Sequence, residues 1–101
     1  MNIISNNKII NIVPCNSFIK RLFGFMFIKK TLNYGLHFKK CNSIHTFFCF
    51  QNLDIIMTDI NNKVLYIYKD VKPGRIIYKK HVYNIYEFST NVIDLNNFKF
   101  N

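Results

Sequence analysis

The sequence predicts a mainly β protein, either a small antiparallel β-sandwich or a partly closed barrel of about seven short strands, with one short helix near the N-terminus. Three observations support this fold class. Short runs of β-branched and aromatic residues recur along the chain, and Asn, Gly and Pro lie between them. A chain of 101 residues, 50% of them hydrophobic, is sufficient for one domain with one core.

The N-terminal part of the chain predicts one strand and the helix. Residues 8–13 (KIINIV) have strand composition, and Pro14 ends this strand because proline cannot continue the hydrogen-bond ladder. A helix is expected from about Ser17 to Ile28, with Ser17 or Asn16 as its N-cap. We expect its apolar arc to pack on a sheet, although a membrane-surface helix would look similar; the arc comprises Phe18, Ile19, Leu22, Phe23, Phe25 and Met26.

The central part of the chain predicts a three-stranded meander. Residues 44–50 (IHTFFCF), 54–60 (DIIMTDI) and 63–69 (KVLYIYK) each have the composition and length of a strand. Asn61-Asn62 tolerates the positive φ that a two-residue hairpin turn requires. The preceding loop, residues 51–53, is short enough for the first two strands to pair antiparallel as well.

The tightest registers of this meander place His45 opposite Asp59 and Asp59 opposite Val64. Because side chains alternate along a strand, each residue is assigned to one of two faces. The mixed face, expected to bind a ligand, carries His45, Phe47, Cys49, Ile55, Met57, Asp59, Tyr66 and Tyr68. The other, more apolar face carries Ile44, Thr46, Phe48, Phe50, Ile56, Ile60, Leu65 and Ile67, with Asp54 at its edge.

Turn chemistry separates the remaining predicted elements. Proline and glycine in residues 72–75 (KPGR) predict a turn, and residues 90–95 predict a turn or a single helical turn. The other predicted strands comprise residues 36–39, 75–80 and 82–88, with 98–100 as a candidate edge strand.

Several of these segments resemble the domain of unknown function 192 family, a group of small bacterial and archaeal proteins with a compact β-rich fold and no established activity. The resemblance runs from about residue 8 to the C-terminus, and its most specific part is the block SIHTFF…DII…D…V. The resemblance implies a small β-rich module without an assigned reaction. The segments that carry it are residues 21–27, 35–36, 41–48, 53–56 and 59–64.

The chain departs from the family pattern at three points. Cys49 stands where the family usually has Met, and Lys40 where a Pro often precedes the Cys. The chain ends at Asn101, where the family usually continues through a Gly-Asp turn into a last strand. Residues 8–101 are expected to form a single β-rich domain, which either lacks the family's last strand or closes its sheet differently. Residues 1–7 are expected to be frayed.

The chain is basic, with 14 Lys and Arg against 5 Asp and Glu and a net charge of +9. Such a charge favours anionic partners, and nucleic-acid binding through the basic doublets and the Tyr66, Tyr68 and Tyr78 side chains is one hypothesis. The doublets are scattered along a chain rich in Lys, Asn, Ile, Phe and Tyr, a bias that AT-rich coding sequence also produces. Nucleic acid is therefore not the favoured partner.

Cysteine usage and hydropathy suggest a cytoplasmic protein. Three cysteines without a repeated short spacing do not form a disulfide framework, which fits a reducing compartment. No apolar run approaches the ~20 residues of a transmembrane helix. The first ten residues show no signal peptide.

Five side chains are the candidate binding residues: Arg21, His45, Thr46, Asp54 and Asp59. The imidazole and carboxylate of His45 and Asp59, as cross-strand neighbours, would have Cβ atoms ~5 Å apart, close enough for a hydrogen bond. The favoured hypothesis is a ligand- or partner-binding accessory module with no catalytic residue assigned. A small hydrolase-like enzyme that uses this pair is the alternative, and a structural role, with Asp59 capping the following turn, is a third interpretation.

Two further groups of side chains give weaker signals. His37, Cys41, His45 and Cys49 recur every fourth residue, but on a strand this spacing places them ~13 Å apart, too far for one metal ion. No metal or cofactor is therefore expected. A pairing of Arg75 with Glu87 across neighbouring strands is one interpretation, and as a surface contact it would contribute little to stability.

Overall fold

The computed structural model describes residues 1–101, apart from the side chains of Phe18, Ile19 and Leu22. The described chain contains nine strands and one short helical segment. In chain order these are β1 Asn2–Ser5, β2 Lys8–Pro14, α1 Phe18–Phe23, β3 Gly35–Lys39, β4 Ser43–His45, β5 Leu53–Thr58, β6 Val64–Val71, β7 Ile76–Tyr78, β8 Asn84–Ser89 and β9 Phe98–Phe100.

Seven of the strands form a curled half-barrel sheet, and the other two form a small second sheet. The strand order of the large sheet is β6-β5-β8-β3-β2-β1-β9, and β4 pairs with β7 in the small one. β2 and β3 run parallel, whereas every other neighbouring pair is antiparallel. The mainly β class is therefore confirmed, and the large sheet has a partly closed form.

The neighbouring strands β5 and β8 are buried at every residue. Side chains on opposite faces of these strands belong to two separate clusters, because successive residues point to opposite sides of the sheet. Ile55, Met57 and Ile85 belong to the first cluster, together with Phe25 and Leu32 from the segment that follows α1. Ile56 and Tyr86 belong to the second, together with Ile3 of the N-terminal strand.

The β5–β6 hairpin has the predicted register over its central residues. Ile55 lies opposite Tyr68, and Met57 lies opposite Tyr66, as the tightest turn required. A register shift after Met57 then places Thr58 opposite Val64. Asp59 therefore falls in the turn rather than at the end of the strand.

The expectation that residues 1–7 are frayed is wrong. Residues 2–5 form β1, which pairs antiparallel with β2 through a turn at Asn6 and Asn7. Both Asn residues have positive φ, 50° and 64°, a conformation that Asn tolerates better than most residues. Ile3 is fully buried, so this strand contributes to the core.

The predicted strand over residues 44–50 is also wrong. Extended backbone ends at His45, and residues 46–49 turn, with Phe48 at a φ of 61°. β4 therefore pairs with β7 instead of β5, while β8 occupies the position beside β5 that this strand was expected to fill. The composition of IHTFFCF favours a strand, but the chain reverses within it.

The helical segment is shorter than predicted. Helical backbone extends over Phe18–Phe23 only, and the Ser17 side chain accepts the Lys20 amide at its N-terminal end. Gly24 follows at a φ of 43°, so the expected continuation to Ile28 does not form. The expected packing of the apolar arc on a sheet involves Phe18, Ile19 and Leu22, whose side chains lie outside the described part of the structure.

Gly35 marks the closest approach within the large sheet. A Cβ at this position would lie 2.3 Å from the ring of Phe88 and 2.9 Å from the side chain of Ile12. Only a residue without a side chain lets β3 pack this tightly over the second cluster. Gly35 therefore allows β3 to lie between β2 and β8.

Candidate functional site

The predicted pair of His45 and Asp59 does not form. His45 lies opposite Ile76, because β4 pairs with β7. Asp59 caps the β5–β6 turn, where its Oδ1 accepts the amides of Asn61 and Lys63, both at 2.9 Å. The register was predicted wrongly because the strand ends at His45, and the hydrolase hypothesis loses the pair on which it depended.

Thr46 is buried, and its side chain forms hydrogen bonds with the loop between β6 and β7. Its hydroxyl donates to the carbonyl of Lys72 at 2.8 Å and accepts the amide of Arg75 at 2.8 Å. The hydroxyl thus both donates and accepts a hydrogen bond within the protein. Thr46 therefore has a structural role in this geometry.

Asp54 is also buried, and its carboxylate joins two backbone segments. Oδ1 accepts the amide of Asp70 at 2.9 Å, and Oδ2 accepts the amide of Asn91 at 3.4 Å. Asp70 and Asn91 have positive φ, 58° and 65°. Asp54 also lines an open groove of about 590 Å³ beside residues 91–96, but its two oxygens are already engaged in these bonds.

A separate cavity of about 110 Å³ brings together residues that are far apart in the sequence. Phe38 and Glu87 line it from the large sheet, and the segments around α1 and β4 line it from above. Those segments contribute Arg21, Phe23, Gly24, Phe25, Met26, Cys41, Ser43, Ile44, His45 and Cys49. Two of the five predicted site residues, Arg21 and His45, are therefore found together here.

Glu87 is the buried polar group of this cavity. It lies opposite Leu36 on β3 and Ile55 on β5, so its side chain shares the face of the first apolar cluster. Only 3% of the residue is exposed. Burial disfavours the charged carboxylate and raises the pKa of Glu87 to about 8, so the group is largely protonated at neutral pH.

The backbone at Gly24 lies close to the Glu87 carboxyl, where a larger residue would crowd it. A Cβ built at Gly24 would lie 3.3 Å from Oε1 of Glu87 and 3.2 Å from the ring of Phe38. Gly24 also has a φ of 43°, which disfavours residues with a side chain. The turn after α1 thus covers the carboxyl with backbone alone.

Two buried cysteines lie close to the same carboxyl. Burial, and secondarily the charge of Glu87, raises the pKa of the Cys49 thiol to about 11. The same two causes, in the same order, raise the pKa of Cys15. Both groups are therefore thiols at neutral pH rather than reactive thiolates.

Arg21 and His45 supply the basic side of the cavity. The guanidinium of Arg21 is exposed, and its Nη1 donates to the carbonyl of Lys39 at 2.8 Å. The imidazole of His45 accepts the Phe47 amide through Nδ1 at 3.2 Å and stacks on the Phe47 ring. The cavity thus has a neutral acid at its base and basic groups near solvent.

Within the described residues, no group of three or more His, Cys, Asp or Glu side chains is arranged to hold a metal ion. Among the same residues, no helix has the length and hydropathy required to cross a bilayer.

Glu87 was missed as a site residue, and its expected surface pairing with Arg75 is wrong. Its strand, NIYEFS, is otherwise rich in aromatic and aliphatic residues, and a single acid in such a strand was the available signal. Strand composition alone did not show that both faces of β8 are covered. The partner strands on either side had to be known first.

No family model matches the chain, and no curated protein matches it. Similar solved structures include a protein of unknown function from Novosphingobium aromaticivorans DSM 12444, with 13% identity and a TM-score of 0.73 over 90% of this chain and 72% of that one. Another, described as "a putative transcription regulator" from Sinorhizobium meliloti 1021, has 11% identity and a TM-score of 0.75 over 97% and 89% of the two chains. At these identities, the likeness shows the fold alone.

Proposed function

We propose that the protein is a small-ligand-binding accessory module whose site is the cavity above Glu87. The observation that carries this proposal is a carboxyl group, 3% exposed, that lines a cavity. A polar group of a bound ligand adds a hydrogen-bond partner to this carboxyl in a site of low polarity.

The ligand class follows from the walls and the charge of the cavity. A cavity of ~150 Å³ accommodates benzene, so one of about 110 Å³ takes a smaller group, such as one end of a ligand. Phe25, Phe38 and Ile44 favour an apolar body. A protonated Glu87 donates to an uncharged oxygen, whereas Arg21 at the opening disfavours a cationic ligand. We therefore expect a short aliphatic group with an amide or a similar neutral head.

The test uses three small probes of similar size: propionamide, propionate and propylammonium. We expect propionamide, at millimolar concentration, to shift the amide resonances of Gly24, Phe38 and Glu87 in a ¹⁵N-labelled sample, with weaker effects from the two ions. The shifts should diminish above pH 8, where Glu87 ionises. Preferential binding of propylammonium would contradict the proposed ligand class, and no response to any probe would contradict the site.

Two glycine variants provide a matched control. Gly24→Ala and Gly74→Ala both place a side chain at positive φ, 43° and 83°. The Cβ at Gly24 enters contact with Phe38 and Glu87, whereas the Cβ at Gly74 has no atom within 4 Å. Only Gly24→Ala should abolish the propionamide response, since only that substitution narrows the cavity. If both variants lost the propionamide response equally, backbone strain rather than narrowing of the cavity would be the cause.

Nucleic-acid binding is the second candidate, and one surface feature favours it. Tyr66 is 38% exposed, and its ring stacks on that of Tyr68 with centroids 6.3 Å apart. Lys79 Nζ lies 5.1 Å from the centroid of the Tyr66 ring. An aromatic ring beside a cation is a platform for a nucleobase. Binding of a fluorescent single-stranded oligonucleotide should weaken steeply with salt and with Tyr66→Ala. Salt-independent binding, or no binding at low salt, would eliminate this candidate.

Two expectations from the sequence remain part of this proposal. The resemblance to the domain of unknown function 192 family fits a small β-rich module of the observed kind. A reducing, cytoplasmic location fits three free cysteines, none of which forms a disulfide in the described structure. Labelling of the unfolded protein, isolated without reductant, with a thiol reagent tests the redox state: three labelled thiols are expected.

A further inference from the structure

Phe27, Phe48 and Phe50 form an aromatic patch outside the cavity. Their side chains are 54%, 64% and 50% exposed. The ring centroid of Phe27 lies 5.9 Å from that of Phe48 and 5.7 Å from that of Phe50, so the three rings form one surface. Single exposed apolar residues are common, but a contiguous exposed patch marks an interaction site.

The backbone at this patch adopts an unfavourable conformation that turns the rings toward solvent. Phe27 has a φ of 65° and Phe48 a φ of 61°, values that are rare for bulky residues. Their neighbours Phe25 and Cys49 are buried, at 1% and 5% exposure. The strain is thus not offset by burial of the two rings, and strain of this kind concentrates at binding sites.

Hydrogen bonds hold the two loops of the patch together. The Phe27 amide donates to the Phe48 carbonyl at 2.9 Å. Nε2 of Gln51 donates to the carbonyls of Ile28 and Lys30, at 3.0 Å and 2.8 Å. The aromatic patch is therefore organised before any partner binds, which lowers the entropic cost of binding.

Two lysines adjoin the patch, and the first half of the chain carries only basic charges. Lys29 Nζ lies 5.6 Å from the centroid of the Phe50 ring, and the neighbouring Lys30 is exposed. The first acidic residue in the sequence is Asp54, so residues 1–53 contain no carboxylate side chain. The basic residues of that segment are Lys8, Lys20, Arg21, Lys29, Lys30, Lys39 and Lys40.

We propose that the aromatic patch, together with Lys29 and Lys30, docks the protein on an anionic lipid surface. Exposed rings enter the boundary between headgroups and acyl chains, while ammonium groups at their edge meet lipid phosphates. The patch combines these two chemistries and presents them on a pre-organised pair of loops. The proposal is independent of the ligand cavity, to which these five residues do not contribute.

The test is co-sedimentation of the full chain with vesicles of phosphatidylcholine alone and of two parts phosphatidylcholine to one part phosphatidylserine. Binding is expected with the anionic vesicles and should decrease with salt. Each lysine near an anionic surface contributes ~1 kcal/mol, about fivefold in binding. Lys29→Gln with Lys30→Gln should therefore lower the partition coefficient about 25-fold.

The aromatic contribution is tested with substitutions that preserve folding. Asn tolerates positive φ, so Phe27→Asn with Phe48→Asn should raise or maintain the melting temperature while lowering the partition coefficient at least about tenfold. Ile60→Asn, at a side chain 65% exposed elsewhere on the surface, is the matched control and should leave binding unchanged. Equal binding by the Phe variant and the wild type would overturn the proposal.

Insertion itself is monitored with an introduced indole, because the chain has no Trp. The emission of a Phe48→Trp variant should shift to the blue when anionic vesicles are added. A Tyr78→Trp variant, at a side chain 60% exposed outside the patch, should not respond. Two results contradict lipid docking: no sedimentation with anionic vesicles, or self-association in sedimentation velocity that Phe48→Asn abolishes without any vesicle binding.

Discussion

A protonated acid in an apolar cluster is the main feature of this protein at the scale of single residues. Glu87 is surrounded on β8 by neighbouring strands, and burial alone accounts for its raised pKa. Its neighbours Cys15 and Cys49 are affected in the same direction, because desolvation disfavours any negative charge there. At neutral pH this environment changes the protonation state of Glu87 alone, because the two thiols are neutral there in any case.

Glu87 should make stability decrease with pH in a defined range. The pKa is about 8 in the folded protein against 4.5 for the free group, so the folded state binds more protons between these values. The free energy of unfolding should fall as pH rises from 4.5 to about 8 and then level off. The loss is expected to be a few kcal/mol, since each pKa unit corresponds to about 1.4 kcal/mol.

Urea unfolding at pH 5 and pH 8, in wild type and in Glu87→Gln, measures this dependence. The variant should lose most of the difference between the two pH values, because its amide does not titrate. Asp70→Asn removes an exposed carboxylate at a position where Asn tolerates the φ of 58°, and it should retain the wild-type difference. A wild type that is equally stable at both pH values contradicts the burial argument.

Thr46 should contribute to stability through its two hydrogen bonds. Thr46→Val keeps the shape of the side chain but leaves the Lys72 carbonyl and the Arg75 amide without the hydroxyl, at an expected cost of about 1–3 kcal/mol. Thr31→Val, at an exposed residue, is the matched control and should change stability little. Equal urea midpoints for both variants would show that water replaces the hydroxyl.

At the residue scale, the sequence predicted Arg21 and His45 as binding residues but did not predict Glu87, which lines the same cavity. Chemistry-bearing residues can be recognised from their type, and both of these are found at the cavity. Their neighbours depend on pairing between distant strands. His45 was therefore assigned to Asp59, whereas the structure places it in the same cavity lining as Glu87.

The N-terminal hairpin shows how an element is stabilised by its position in the sheet. β1 lies between β2 and β9, and its inward side chain at Ile3 is fully buried. Ile9 on β2 points away and is 68% exposed. The alternation of a strand thus separates a core isoleucine from a surface one within the same hairpin.

Ile3→Ala should therefore be much more destabilising than Ile9→Ala. Removal of a fully buried isoleucine side chain costs about 2–5 kcal/mol, whereas the exposed position should change stability by about 0.5 kcal/mol or less. Chemical unfolding of the two variants under the same conditions gives the comparison. Similar, small effects of both would show that β1 is detached from the core in solution.

The turn between β5 and β6 depends on the Asp59 carboxylate. Asp59→Ala removes the acceptor of the Asn61 and Lys63 amides and should lower stability by about 1 kcal/mol. Asp59→Asn retains an acceptor oxygen and should recover most of this loss. Thermal unfolding distinguishes them; equal losses would show that the negative charge, rather than the hydrogen-bond acceptor, stabilises the turn.

Elements with a local signal were predicted best. The β5–β6 hairpin has two runs of β-branched and aromatic residues and an Asn pair at its turn, and its central register agrees with the prediction. The segment 44–50 has equally strong strand composition but breaks at Thr46, where the hydroxyl bonds to a loop near residue 75. Strand propensity is a property of one segment, so it does not predict a hydrogen bond that a distant segment offers instead.

At the scale of the whole molecule, the net charge is the property that can be read directly from the sequence. The net charge of +9 destabilises a compact chain through self-repulsion, which salt screens. The melting temperature should therefore rise by a few degrees between low and moderate sodium chloride concentration. Lys29→Gln with Lys30→Gln lowers the net charge from +9 to +7 and should reduce this gain. A melting temperature that falls with salt would show that attractive ion pairs dominate instead.

The sequence by itself determined the mainly β class, the central register of the β5–β6 hairpin and the net positive charge. These properties depend on alternation, turn chemistry and composition, which are local or additive along the chain. The tertiary structure alone decided that β4 pairs with β7, that β2 and β3 run parallel, and that Gly24 lies over Glu87. These depend on which distant segments meet, and a shift of one residue in a strand register moves every side chain to the opposite face.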